Sequence, residues 1–260
     1  MRKIIKLLIA SSALLHSPLY AITFHGGLFG YVGTSVLNGF VQVPQGGSFG
    51  STSYRRPTLD ELNIHHSNFY TIGALAQLNH YDITYNYSRY APRGKTQLKN
   101  ILNTHGKYIN AGSSLSTLIK YDLHQLSVGR RFDYEHWIIS PFVQSNFLKF
   151  HYEYSAFPIR GARTYNVTGF NIGLNAIYQF TPTLFGDLQI TPPLPVANFT
   201  YADFELGLSK KINMRKNTSV SPRAAIGLQQ LDYKDNQAVP NHIRLQNAPY
   251  VMMGFQVQIH

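Results

Sequence analysis

The sequence predicts an all-β protein: a closed antiparallel transmembrane β-barrel of about 10 strands, with 8–12 as the range. Three observations lead there. Apolar and polar residues alternate with period two over runs of ten residues and more, where a half-buried soluble strand alternates over about five or six. The links between these runs alternate long and short, as in barrels with short turns at one end and long loops at the other. Asp, Glu, Lys and Arg make up only 13% of the 260 residues, about half the ~25% of a soluble domain, while Tyr (18) and Phe (16) are abundant. Mean hydropathy is still slightly negative, −0.16.

The composition excludes several classes. Disordered chains are poor in aromatics and rich in charge. With no Cys there is no disulfide scaffold and no cysteine-ligated zinc. No run approaches the roughly 20 apolar residues that a membrane helix needs.

Residues 1–21, MRKIIKLLIASSALLHSPLYA, read as a secretory signal peptide. Arg2, Lys3 and Lys6 form the basic head, Leu7 to Leu15 the short apolar stretch, and cleavage is expected after Ala21. The alternative is a buried N-terminal helix. Without the signal, 20 Lys and Arg face 12 Asp and Glu. Residues 22–260 then form one barrel domain.

The strands are expected near 22–33, 68–79, 81–90, 117–132, 137–154, 166–180, 183–191, 199–212, 219–231 and 249–259. In 168–180, Phe170, Ile172, Leu174, Ala176, Tyr178 and Phe180 share one face, while Gly169, Asn171, Gly173, Asn175 and Gln179 share the other. The last strand alternates in the same way through Val251, Met253, Phe255, Val257 and Ile259. Leu148, Phe150, Tyr152 and Tyr154 alternate with Lys149, His151 and Glu153. Reading apolar faces as lipid-facing makes Phe150, Tyr152 and Tyr154 an outer aromatic rim, and Phe132, Trp137, Tyr178 and Phe180 the rim beside the short turns. Long links fall at 34–67, 91–116, 155–165, 192–198 and 232–248. A soluble β-sandwich is the alternative, with shorter strands and more surface charge.

Over essentially the whole mature chain the sequence resembles the Gram-negative outer-membrane β-barrel class. In that class the last strand carries an insertion signal, a Gly followed by alternating apolar residues, and Gly254, Val257 and Ile259 fit it, although the chain ends in His260 where an aromatic is usual. The resemblance implies the cell outer membrane, delivery to the barrel assembly machinery through the C-terminal strand, and a monomer.

The opposite faces are expected to line the lumen as a polar network of Asp82, Arg131, Lys149, His151, Glu153, Asp187, Asp203, Glu205 and Arg223, with His25 and Lys211 nearby. Their near balance of charge favours a plugged barrel over a narrow pore. For catalysis, two pairs stand out. Asp122 and His124, two residues apart, share a strand face and resemble half of the site of omptin-type proteases; the Asp-x-Asp partner of that site is absent. His65 and Ser67 share a face and suit a base and a nucleophile, though no Gly-x-Ser-x-Gly elbow occurs. The plainer reading of Asp122 and His124 is a solvated pair on a strand extending above the membrane, and no catalytic residue, metal or cofactor is assigned.

The loops carry the expected role. Arg93, Lys95, Lys99, Lys107, Arg160 and Arg163 place positive charge on two outward links, suited to lipopolysaccharide phosphates and, as a sharper reading, anionic host glycans. The compartment disfavours nucleic acid. In the first long link, Gly46, Gly47 and Gly50 suit a flexible tip. Thr58 and Glu61 have capping-box spacing, and Leu59, Leu62 and Ile64 are placed to fold onto the barrel mouth or into the lumen. A lipid-modifying enzyme or protease and a narrow pore remain the alternatives to a structural, surface-interactive barrel.

Overall fold

The structure is a computed structural model that describes residues 24–43, 57–194, 198–215, 217–237 and 240–259. The signal peptide expected at 1–21 and the glycine tip expected at 46–50 lie outside the described residues. The strands are β1 (Phe24–Val36), β2 (Gly39–Gln42), β3 (His66–Leu78), β4 (Tyr81–Tyr90), β5 (Arg93–Gln97), β6 (Leu102–Thr104), β7 (Lys107–Ile109) and β8 (Ser114–Arg130). They continue as β9 (Phe132–Tyr134), β10 (Trp137–Ala156), β11 (Ile159–Gln179), β12 (Leu184–Thr191), β13 (Phe199–Lys210), β14 (Ile212–Arg215), β15 (Thr218–Lys234) and β16 (His242–Ile259).

Ten of these strands form a closed ring in the order β1-β3-β4-β8-β10-β11-β12-β13-β15-β16. β16 closes it by pairing with both β15 and β1, and every pairing is antiparallel. Closure leaves no barrel edge to face lipid. Exposed Leu28, Ile72, Val143, Ile172, Leu206, Ile226 and Phe255 belong to a continuous outward apolar belt, the surface of a protein solvated by hydrocarbon. Belt and closure together place the chain in the cell outer membrane. At the short-turn end Trp137 packs on Tyr178 at 4.7 Å and Tyr178 on Phe180 at 4.9 Å, with Arg130 over the Phe132 ring.

Several strands run further than the sequence reading places them. β10 and β11 have 20 and 21 residues, where about 9–11 suffice to cross the membrane. They form one hairpin paired from Trp137↔Tyr178 to Ala156↔Ile159, so the link expected at 155–165 is strand except at Phe157 and Pro158. Likewise β15 and β16 extend to Lys234↔His242 and shorten the link expected at 232–248.

The extension changes which face is apolar. In the lower part of β10 the outward residues are Ile139, Val143 and Phe147, and the inward ones include Ser140, Gln144 and Asn146. Higher up, outward residues are Lys149, His151 and Glu153, while Leu148, Phe150, Tyr152 and Tyr154 point inward and are buried. The period never breaks, but the solvents exchange. Below, the outside meets lipid; above, it meets water, and the inside becomes a core. β8 does the same: Leu126 and Val128 face out below, Lys120, Asp122 and His124 above, with Leu115, Ile119, Tyr121 and Leu123 buried inside. Two expectations are therefore corrected. Lys149, His151 and Glu153 lie on the outer wall and not in the lumen, and Phe150, Tyr152 and Tyr154 are core residues and not a lipid-interface rim. Tyr70, Tyr85, Tyr87 and Phe147 occupy that outer rim instead.

Inward glycines make room for aromatic rings from neighbouring strands. Phe142 lies over Gly173 and Tyr250 over Gly227, and a Cβ at either glycine would overlap the ring.

Candidate functional site

The outer mouth is filled by the protein's own links. After Leu37 the chain turns through Gly39, and β2 pairs with the upper end of β16, Val41 opposite Ile243. Gly39 has φ 142, and a side chain there would strike the Arg244 carbonyl. Thr58 and Glu61 form a reciprocal capping box: the Thr58 amide donates to Glu61 Oε2 (3.0 Å) and the Glu61 amide to Thr58 Oγ1 (3.1 Å). The box opens a single turn that ends at Asn63, φ 56, and no helix follows. That turn drives Leu59, Leu62 and Ile64 into the core at 1%, 0% and 1% exposure. Leu37, Val41, Val43, Leu98, Leu102 and Ile109 join them against the inward faces of β8 and β10. Phe69, Tyr90 and Tyr121 stack in series, at 4.7 and 4.1 Å, across β3, β4 and β8.

The β6–β7 hairpin completes the cap with a two-residue turn, His105 (φ 53) and Gly106 (φ 69), the positive pair that suits strand twist. The His105 amide donates to the Val43 carbonyl, and its ring lies against Tyr152 and Tyr154. Burial, then the charges of Arg163 and Lys107, lower the His105 pKa from 6.5 to about 4. The docked cap thus prefers neutral imidazole, whereas a released hairpin takes up a proton near pH 6.5. Cap stability is expected to be full above pH 6.5 and to fall between 6.5 and about 4. The protection of the 102–109 amides, taken relative to the free-peptide exchange rate at the same pH, should fall across that window, and His105→Asn, which tolerates positive φ, should flatten the dependence; unchanged protection at pH 4.5 would refute this.

Beneath the apolar core runs a ladder of side-chain amides. Gln125 and Gln144 donate to Asn146 Oδ1 (3.0 and 2.7 Å), and Asn146 donates to Asn171 Oδ1 (2.7 Å). Asn171 donates to the Tyr201 carbonyl (2.8 Å), and Gln229 to the Tyr201 hydroxyl (3.2 Å). The ladder crosses β8, β10, β11, β13 and β15 with its buried polar atoms satisfied.

Lower still, the lumen holds a charged knot. Arg223 bridges Asp187 and Glu205: its Nε donates to Asp187 Oδ1 (3.1 Å) and its Nη2 to Glu205 Oε1 (2.6 Å), with a second contact to Asp187 Oδ2. The Tyr250 hydroxyl donates to Glu205 (2.7 Å) and contacts buried Asp203 (3.2 Å), and Tyr31 lies against the guanidinium at 5.4 Å. Asp82 accepts from Ser140 (2.9 Å), while Arg131 holds Asp133 and Gln77 at the short-turn end, where Lys211 also lies. The structure thus brings Asp187, Asp203, Glu205 and Arg223 together and leaves Asp82 and Arg131 apart from them. Period-two counting places all six inward, but only strand register makes neighbours of four of them. The amide ladder, Tyr31 and Tyr250 were missed because Asn, Gln and Tyr do not stand out as titratable residues. Following the inward parity of 144, 146, 171 and 229 is the signal that finds the ladder.

The two catalytic pairs do not assemble. His65 is exposed, its Nδ1 at 3.0 Å from Asp60 and its Nε2 at 3.0 Å from Asn63, while buried Ser67 points inward and donates to the Asn68 carbonyl. Asp122 and His124 face outward: Asp122 accepts from Tyr87 (2.9 Å) and lies 3.6 Å from Arg89, and His124 bonds Tyr85 (2.8 Å). Neither pair faces a cleft in the core. Among the described residues no group of three or more His, Asp or Glu is arranged to hold a metal ion.

Of the loop bases, Arg93, Lys95, Lys99, Lys107 and Arg160 are exposed at the outer end. Lys107 Nζ donates to the Arg160 carbonyl (2.8 Å) and ties the β6–β7 hairpin to the β10–β11 tip. Arg163 is different. It points inward and donates to Asn241 Oδ1 (3.4 Å), so it is a contact of the cap and not an outward charge.

No known family profile matches the sequence, and no curated protein matches it. Solved structures do share the architecture. The outer membrane protease OmpT from Escherichia coli is 9% identical, with a TM-score of 0.47, covering 94% of this chain and 99% of that one. A Pseudomonas aeruginosa FadL homologue is 9% identical (TM-score 0.37; 95% and 93% covered). The neisserial surface protein NspA is 10% identical (TM-score 0.32; 92% and 99% covered).

Proposed function

We propose that this chain is a sealed, monomeric outer-membrane barrel of a Gram-negative bacterium that acts as a surface scaffold, presenting basic loops to anionic saccharides. The observation that supports it best is the loop-built apolar core at the outer mouth, centred on Leu59, Leu62 and Ile64. A core of this kind suits a rigid platform and opposes a pore. Export follows from the signal peptide at 1–21, and insertion through the barrel assembly machinery from the last strand with Gly254, Val257 and Ile259. The platform displays Arg93, Lys95, Lys99, Lys107 and Arg160, and flexible cations of this kind meet sulfate, carboxylate and phosphate on polysaccharides. Saccharides of neighbouring lipopolysaccharide are the first partner, host glycans the second.

The test uses the folded barrel in detergent on immobilised heparin and on delipidated lipopolysaccharide saccharide. Wild type should bind both in a salt-sensitive way, and K95A/K99A/K107A should elute at markedly lower salt. Equal elution of the two proteins would reject the loop reading. Turnover of peptide or lipid substrates by the wild type would favour the enzyme alternative.

A further inference from the structure

The belt's upper edge carries an excess of positive charge on its β4–β8–β10 side. On β4 the outward series Tyr85, Tyr87 ends at Arg89; on β8 Leu126 gives way to His124, Asp122 and Lys120; on β10 Phe147 gives way to Lys149. Register aligns them: Arg89 is opposite Asp122, and Asp122 is opposite Lys149. Arg89 and Lys149 therefore stand two strands apart, roughly 10 Å, a gap that their long side chains span. Asp122 spends its charge on Tyr87 and Arg89, and Lys120 and Lys149 have no ion-pair or hydrogen-bond partner among the described residues. Two net positive charges remain, just above Tyr85, Tyr87 and Phe147, at the depth where lipid headgroups begin. On β13 and β15 the first outward residues above the belt are Ala202 and Gln230, and of the charges higher up Asp232 and Arg244 pair with each other at 3.3 Å.

We propose that Arg89, Lys120 and Lys149 form a docking site on the barrel wall for the phosphate of an outer-leaflet glycolipid, whose acyl chains lie down the apolar belt. The cations are aimed sideways into the headgroup layer, which a soluble polyanion reaches poorly and a lipid phosphate occupies. Arg supplies a fork for phosphate oxygens and the two Lys supply point charges. The site rests on the outward orientation of the long-loop end, and it is separate from the loop bases above it.

Native mass spectrometry of the full mature chain in detergent, titrated with bisphosphorylated lipid A, tests this. One lipid should be retained per barrel. R89A/K120A/K149A should weaken retention at least tenfold, and K95A/K99A/K107A should change it less than twofold. Asp122→Asn removes the competing carboxylate yet still accepts from Tyr87, so it should tighten binding severalfold, whereas a purely structural wall would be weakened. Retention by the wall variant within twofold of wild type, or weaker binding by Asp122→Asn, would overturn the site. The wall variant should keep its heparin elution, so failure here and failure of the loop reading are separable.

Discussion

Leu62→Asp should release the outer cap while leaving the barrel folded. Leu62 is fully buried among Leu59, Ile64 and the inward faces of the upper barrel, and its carbonyl lies against Gly94. Removing a buried Leu side chain costs about 2–5 kcal/mol. An aspartate adds an unpaired charge in an apolar core, which is worse still. The wall, by contrast, is held by ten antiparallel strand pairings that do not pass through residue 62. The free energy is lost locally, and the 57–65 turn detaches. Limited proteolysis should show it: cleavage after Glu61 and after Lys95 and Lys99, absent in the wild type, should appear in L62D, while the boiled and unboiled forms still differ on gels. Wild-type resistance in L62D would mean that the turn is not part of the core.

Arg223→Ala should be the most costly single change in the lower lumen. The Arg223 side chain is 10% exposed, those of Asp187 and Glu205 15% and 13%, so the pair of carboxylates would be left almost buried without a cation. Breaking such a cluster costs about 3–5 kcal/mol, whereas replacing all its members by neutral groups is close to neutral. Urea unfolding in micelles should therefore show a strong loss for R223A and substantial recovery for R223A/D187N/E205Q. Equal loss in both would mean that packing around Tyr31 matters, and charge does not.

The alternation makes the ring of ten strands legible because lipid enforces it: outward Ile172, Leu206 and Val257 must be apolar wherever hydrocarbon touches them. The capping box at Thr58 and Glu61, with Leu59, Leu62 and Ile64 after it, also points to a folded piece at the mouth. Alternation alone does not say which solvent a face meets. In β10 the same period passes from lipid outside at Phe147 to water outside at Lys149, and Leu148 and Phe150 become core without any break in pattern. Reading every apolar face as lipid-facing therefore put Lys149, His151 and Glu153 on the wrong side of the wall. The ion-pair knot was legible as residues and not as a site, because Asp187 and Arg223 are brought together by strands β12, β13 and β15 in register.

The central claim is that the barrel is closed at its outer mouth by a packed core of its own links. Planar-bilayer recording of the refolded wild type tests it most directly. A sealed barrel gives no steady unitary current, while L62D, with the cap released, gives frequent openings. Steady unitary currents from the wild type, at the same level as those from L62D, would contradict the account.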